Sequence, residues 1–153
     1  MDITGPYPLT PGRNKYLLTF VDYLSKYAET YAISEQTADV CARVYAREIV
    51  TRHGTGSVLV TDQGSAFKSP VFSETCKVLG IQRIYTSSYP EFQGTAERWH
   101  RTLHKVSFIL LIPIRIGTFS YLFLMAYRAI PHTTTRYNPF YLLHGRHVAF
   151  RQR

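Results

Sequence analysis

Ten carboxylates occur in the 153-residue sequence, and three of them stand where a carboxylate can act as a ligand rather than as a solvated charge. Asp62 ends the short apolar run 57–61 (SVLVT) and is followed by Gln63 and Gly64. In open α/β sheets ligands bind beyond the carboxyl ends of the strands, although an Asp at that point equally suits the cap of a following helix. Glu97 falls in the first turns of a helix expected to begin near Thr95, where the helix dipole favours negative charge. Its company is basic: Arg98, Arg101 and Lys105. On helical spacing Trp99, Leu103 and Val106 form a core stripe, while Glu97, Arg101, His104 and Lys105 share another face. A carboxylate inside a basic face suits a metal bridge to phosphate. Asp2 precedes a strand end that runs into a turn, and taken alone it reads as a solvated terminal residue. Of the others, Glu29, Glu35, Asp39, Glu48 and Glu74 are expected on exposed faces, and Asp22 is expected to cap its own backbone in a turn.

These residues need a frame, and the chain supplies one. Pro6, Pro8, Pro11 and Gly12 mark a turn between a very short first strand and a longer second one at residues 15–23. A tight connection at 22–26 leads to a third strand at 27–33. Ser34 or Thr37 can cap a helix whose apolar stripe is Val40, Cys41, Val44, Tyr45 and Ile49, and residues 53–56 stop it. The run 57–61 then reads as a strand buried on both faces. A helix over about 69–79 follows, with Gly80 as its stop. Residues 81–86 form another strand, residues 87–94 a loop, and a helix starts at Thr95. The order β, β, β, α, β, α, β, α predicts a mixed sheet covered by helices, an α/β architecture.

Composition bounds the rest. The chain is 45% hydrophobic and 18% charged, which is a globular balance, and its length suits one domain. Two cysteines form neither a disulfide framework nor a zinc-knuckle spacing, as in a reducing compartment. The start has neither a basic nor an apolar signal region, and the longest apolar run, 106–116, is shorter than the roughly 18 residues of a membrane span. A soluble, intracellular chain with no membrane partner is expected. Net charge is +8 and is unevenly spread, because residues 98–153 hold nine Lys and Arg and no Asp or Glu. A polyanion is the partner that such a face fits.

Taken together, the chain resembles the integrase catalytic core of retroviruses and gypsy-type LTR retrotransposons, within the ribonuclease-H-like superfamily. The matching segments run in order: 2–6, 20–23, 25–29, 61–64 with Phe67, Ser69 and Phe72, then 79–81, 89–94 and 97–103. Residues 126–128, Pro131, His132 and 138–146 resemble the tail of the same domain. The resemblance implies an α/β, ribonuclease-H-like fold with a five-stranded mixed sheet flanked by helices, its first strand truncated here because only Met1 precedes Asp2. It also implies a single domain over 1–153, with a core to about residue 112 and a helical part over about 113–153. The catalytic and metal-binding triad would be Asp2, Asp62 and Glu97, holding two Mg²⁺ ions or Mn²⁺ in their place, with no small-molecule cofactor. Gln93 and Gly94 match a loop that reaches DNA, and Arg98, Arg101 and Lys105 would meet phosphate.

The implied activity is that of a DNA strand transferase and endonuclease: 3′-end processing of an element's DNA followed by its joining to target DNA. A homo-oligomer, as a dimer of cores, and a nuclear location in a eukaryotic host go with it. Two departures accompany the likeness. Asp62 and Glu97 enclose 34 residues, one fewer than is usual in the family, and the loop 89–94 is a residue short and carries Glu91. The alternative is a catalytically inactive fragment or repurposed mobile-element copy that binds nucleic acid or serves as an interaction module. A ribonuclease that cuts RNA–DNA hybrids ranks third.

Overall fold

The computed structural model describes residues 1–86 and 124–149. Of these, residues 1–18 and 31–86 belong to one compact unit, and residues 19–30 and 124–149 to a second. Five strands are present: β1 (Asp2–Thr4), β2 (Tyr16–Val21), β3 (Ala28–Ile33), β4 (Val58–Thr61) and β5 (Gln82–Tyr85). They group as a three-stranded ladder in the order β1-β2-β3 and a two-stranded ladder β4-β5. Lys15 N–H donates to the Ile33 carbonyl (3.1 Å) and Asp22 N–H to that of Tyr27 (2.9 Å), so β2 and β3 run antiparallel. β4 and β5 are parallel, with Thr61 opposite Tyr85. A parallel pair needs a long crossover, and the helices between residues 65 and 78 supply it. The Met1 amine donates to the Val60 carbonyl at 2.8 Å, which sets the start of β1 beside β4.

The helices of the first unit begin and end where short-range chemistry dictates. Thr37 Oγ1 accepts from Val40 N–H to cap α1 (Ala38–Val44), which passes into a π-helical turn (Tyr45–Val50) and a last turn, α2 (Thr51–His53). The observed stripe differs from the one expected of regular spacing: Cys41, Ala42 and Tyr45 are buried, while Val40, Val44 and Ile49 are only half-buried. A short α3 (Ser65–Lys68), absent from the sequence reading, precedes α4 (Pro70–Val78). Ser69 caps α4 by accepting from Val71 N–H (3.3 Å), and Pro70 occupies the first helical position, where no N–H is needed. At its far end Gly80 N–H reaches the Lys77 carbonyl (3.0 Å) and Ile81 N–H that of Cys76 (2.8 Å), a Schellman motif. Its left-handed residue is Gly80, with φ +70, a conformation that costs a side-chain-bearing residue.

α1 packs against α3 and α4, and Phe67 and Phe72, both fully buried, meet edge to face at 5.5 Å. Arg83 on β5 ties this layer to the strand: it donates to the Phe67 carbonyl and to Ser73 Oγ, and lies over the Phe72 ring. β4 departs from the expected burial on both faces. Leu59 and Thr61 are buried, but Val58, which leaves the exposed loop 54–57, is 46% exposed. Glu29 on β3, expected on an exposed face, is also buried, at 5%. Its neighbour Ala28 is fully buried, and consecutive strand residues point to opposite faces, so both faces of β3 are covered there.

The second unit is built on the β2–β3 hairpin. Asp22 Oδ2 accepts from both the N–H and the hydroxyl of Ser25 (2.7 Å each), the turn-capping role read from sequence. Residues 124–129 are helical. Tyr127 Oη donates to the Lys26 carbonyl (3.2 Å), and Arg128 donates through Nε and Nη2 to that of Ala28 (2.9 and 2.7 Å). Leu124 and Ala28 bury each other, with Val21 and Tyr127 against them. A final helix, α5 (Pro139–His144), is capped by Asn138 Oδ1, which accepts from Tyr141 N–H (2.6 Å). Among the described residues no helix is long and apolar enough to cross a membrane. The run 106–116 lies outside them.

Both cysteines are free and buried. Burial pushes the Cys41 thiol up to about 11 and also raises that of Cys76. Only the thiolate is a strong nucleophile. The folded protein at pH 8 is therefore expected to react with a thiol reagent far more slowly than the urea-unfolded chain, which should release two equivalents promptly. Equal rates in the two states would mean that the α1–α4 layer opens readily.

Candidate active site

β1 is only three residues long, and its alternation buries Asp2 (6% exposed) and Thr4 (7%) while Ile3 is half-buried. The loop after it turns back closely on β2. Gly5 has φ +132, and a Cβ there would meet the Lys15 carbonyl at 2.7 Å, so the chain can pass only without a side chain. Tyr7 N–H then donates to the same carbonyl at 2.7 Å. Asp2 thus belongs to a strand lodged in the fold, and the solvated terminal position read from sequence is corrected. Burial of Met1 (7%) and its bond to Val60 are the physical reason.

Asp62 follows β4 directly and is half-buried. Its Oδ1 accepts from Gly64 N–H at 3.0 Å, at the N-cap of α3. One oxygen thus orders the turn into α3, whose N-cap is Gly64 with no side-chain cap, and the carboxylate lies at the carboxyl end of a parallel strand. Thr61, just before it, is fully buried, and its hydroxyl donates to the Asp62 carbonyl (3.0 Å), which steadies the strand end.

The Met1 nitrogen, bonded to the Val60 carbonyl, stands where β1 and β4 meet. The Met1 amine is pushed down to about 6 by burial, while Asp2 and Asp62 both act in the other direction, favouring its charged form. A single cation thus feels both carboxylates. Hard oxygen donors arranged about a positive charge are the donor set that suits Mg²⁺. Carboxylates on neighbouring strands also repel each other, and a cation between them would relieve that. The donors present therefore fit a divalent ion. Among the described residues no group of three or more His, Cys, Asp or Glu gathers. Glu97, Gln93, Gly94, Arg98, Arg101 and Lys105 lie outside the described residues.

Thr4 was not singled out by its sequence, although its place two residues after Asp2 puts it on the same strand face. Its Oγ1 is buried and has no hydrogen-bond partner among the described residues. A buried hydroxyl left unsatisfied costs about 1–3 kcal/mol. Thr4→Val, which keeps the shape and removes the hydroxyl, is expected to raise unfolding free energy by about that amount. Urea or thermal unfolding checks this, and a fall in stability would mean that the hydroxyl has a partner after all.

The fold and this strand-end pair of carboxylates define a ribonuclease-H-like α/β core. Residues 1–90 match the family described as Integrase core domain, and the chain belongs to that family. It is 33% identical over 135 residues to the Pol polyprotein of Radiation murine leukemia virus (strain Kaplan), covering 83% of this chain and 23% of that one. It is 32% identical over 139 residues to the Gag-Pol polyprotein of Feline leukemia virus, covering 86% and 8%. With the Retrovirus-related Pol polyprotein from transposon 412 of Drosophila melanogaster it shares 29% over 106 residues, 69% of this chain and 9% of that one. The chain thus spans less than a quarter of the length of these relatives.

Among solved structures, the HTLV-2 integrase catalytic core domain in complex with magnesium, in a trimeric form, superposes with a TM-score of 0.64 at 17% identity, covering 84% of each chain. The catalytic core domain of BIV integrase gives 0.66 at 22% identity, covering 92% of this chain and 90% of that one. A chain of the simian T-cell lymphotropic virus intasome in complex with PP2A regulatory subunit B56 gamma gives 0.72 at 16%, covering 94% and 53%. These likenesses carry the fold.

Proposed function

We propose that the chain is a polynucleotidyl transferase core that acts on DNA, processing 3′ ends and joining them to a target strand. The observation that supports the reading is that Asp2 lies buried in β1, whose start is hydrogen-bonded beside β4, the strand that Asp62 directly follows. Asp2, Asp62 and Glu97 would hold two Mg²⁺ ions, or Mn²⁺ in their place. Such an ion pair, when bound, lowers the pKa of an attacking water or 3′-hydroxyl and stabilises the leaving oxygen of an in-line phosphoryl transfer.

The chain's own residues contribute position. Thr61 and Gly64 hold the Asp62 backbone and Oδ1, and β1 holds Asp2 in a buried position. Gln93 and Gly94 would approach DNA, and Arg98, Arg101 and Lys105 would neutralise its phosphates. Pairing of cores as a dimer and a nuclear site of action belong to the same proposal.

The direct test is incubation of the purified chain with oligonucleotide duplexes carrying a recessed 3′ end, in Mg²⁺ or Mn²⁺. Nicked or joined products are expected from the parent protein and are expected to vanish in Asp62→Asn and Glu97→Gln. A folded protein that neither nicks nor joins under either metal would sink the reading. An independent measurement is thermal unfolding with and without about 10 mM Mg²⁺. For a dissociation constant on the order of 1 mM, linkage gives about 1.4 kcal/mol, a rise of roughly 2–5 °C at this chain length. The rise should be absent from Asp62→Asn.

A second reading rests on the acid-free stretch 98–153, with nine Lys and Arg. It holds the chain to be a non-catalytic nucleic-acid-binding relic of a mobile element. Salt-sensitive DNA binding with no metal-dependent chemistry, indifferent to Asp62→Asn, would favour it over the first.

A further inference from the structure

Around α5, three rings stack in a row. The Tyr137 ring lies on that of Tyr141 (centroids 5.9 Å apart, planes 22° from parallel), and Tyr141 lies on His147 (4.8 Å, 18°). The row is held at both ends. Before it, the loop 132–137 closes on itself: His132 N–H donates to the Tyr137 carbonyl (3.0 Å), Arg136 N–H to that of His132 (2.8 Å), and Thr135 Oγ1 to that of Tyr137 (3.0 Å). Beyond it, Asn138 joins the two sides, its Oδ1 accepting from Tyr141 N–H and its Nδ2 meeting His147 Nδ1 at 3.2 Å. The rings are therefore pre-positioned.

The outermost ring, Tyr137, is 56% exposed. Core packing does not explain a pre-positioned ring that is more than half in solvent. Its chain neighbours carry one sign: Arg136, Arg146 and His147 are exposed, and no Asp or Glu follows Glu97 in the chain. A flat π face in so basic a segment matches a ligand that is flat and anionic at once. Bases present such a face only where they are unpaired, because in a duplex both faces are already stacked.

We infer that Tyr137 is a stacking platform for an unpaired nucleotide of single-stranded DNA, with Arg136 and Arg146 meeting the adjoining phosphates. This goes beyond the catalytic reading, since it needs neither a metal nor Asp62. Pre-stacking on Tyr141 and His147 reduces the ordering cost of the contact, because Tyr137 has little freedom left to lose when a base arrives.

The test is fluorescence anisotropy of a labelled oligo(dT) of about 12 nucleotides, within the usual range for such sites. It is run on the full chain in EDTA, beside a blunt duplex of equal length. Tyr137→Ala is expected to weaken single-strand binding roughly 5- to 100-fold, as loss of one stacked base does elsewhere. Tyr137→Phe should retain binding. Tyr137→Leu, which keeps apolar bulk without a π face, should lose it, and it replaces the Ala variant if that one melts early. Arg136→Ala should lower the salt slope by about 0.7, the value for one phosphate on a single strand. Because EDTA removes any metal, binding read this way is separate from any failure of the catalytic proposal. Unchanged binding by Tyr137→Ala or Tyr137→Leu would overturn the inference. So would an equal loss for duplex and single strand, because that would reduce the face to charge alone.

Discussion

Keeping the Asp2 carboxylate buried on a three-residue strand beside β4 is the demand on which the first unit turns. Asp2 is 6% exposed, and Asp62 is near enough for both to act on one amine. Removing such a group from water costs several kcal/mol unless an opposite charge or hydrogen bonds compensate. The carboxylates cannot relieve each other, since their charges repel. A fold that places them on neighbouring strands must offset that repulsion with interactions elsewhere, and a bound cation would add to them. This is the physical sense in which β1 and β4 are a site rather than two strands.

The surrounding layer is arranged to bear that cost. Phe67, Phe72, Cys76 and Cys41 form a dry helical face, and each fully buried large side chain contributes about 1.5–3 kcal/mol of transfer free energy. Arg83 spans from β5 to the α3 end and to α4, a use for which a planar, five-donor group is suited and a lysine is not. Capping by Thr37 and Ser69 and the Schellman closure at Gly80 remove backbone groups that would otherwise be left unpaired at helix ends. In the second unit the same economy appears in a different form. Tyr127 and Arg128 satisfy hairpin carbonyls at Lys26 and Ala28, so side chains far along the chain finish the hydrogen bonding of the strands.

Local signals were the legible part. Thr37, Ser69, Gly80 and Asp22 do what their residue types predict, because capping and turn chemistry act within four or five residues and need no knowledge of the rest of the fold. The strands came within one to two residues of their bounds for a similar reason, since β-branched and aromatic runs between turn residues define them. Burial was less legible. Glu29 looks like a surface residue by type, but both faces of β3 are covered at that point. Val58 belongs to an apolar run yet stands half in solvent, because it is where the strand emerges from a loop. In α1 the packing chose Cys41 and Ala42 for burial and left Val40 and Val44 half-buried, a choice that apolar spacing along one helix does not make.

The candidate site divides in the same way. The sequence by itself determined the donor types, their order along the chain and the membership of the integrase core domain family, since collinear motifs survive without any coordinates. It also determined the charge asymmetry that leaves the last third without a carboxylate. Tertiary structure alone decided that Asp2 is buried rather than solvated, that β1 starts beside β4, the strand Asp62 follows, and that Tyr137, Tyr141 and His147 stack in a row. Each of these depends on groups brought together by folding. Asp2 and Asp62 are sixty residues apart in the chain, and a distance of that kind is set by strand pairing and packing, not by any local preference.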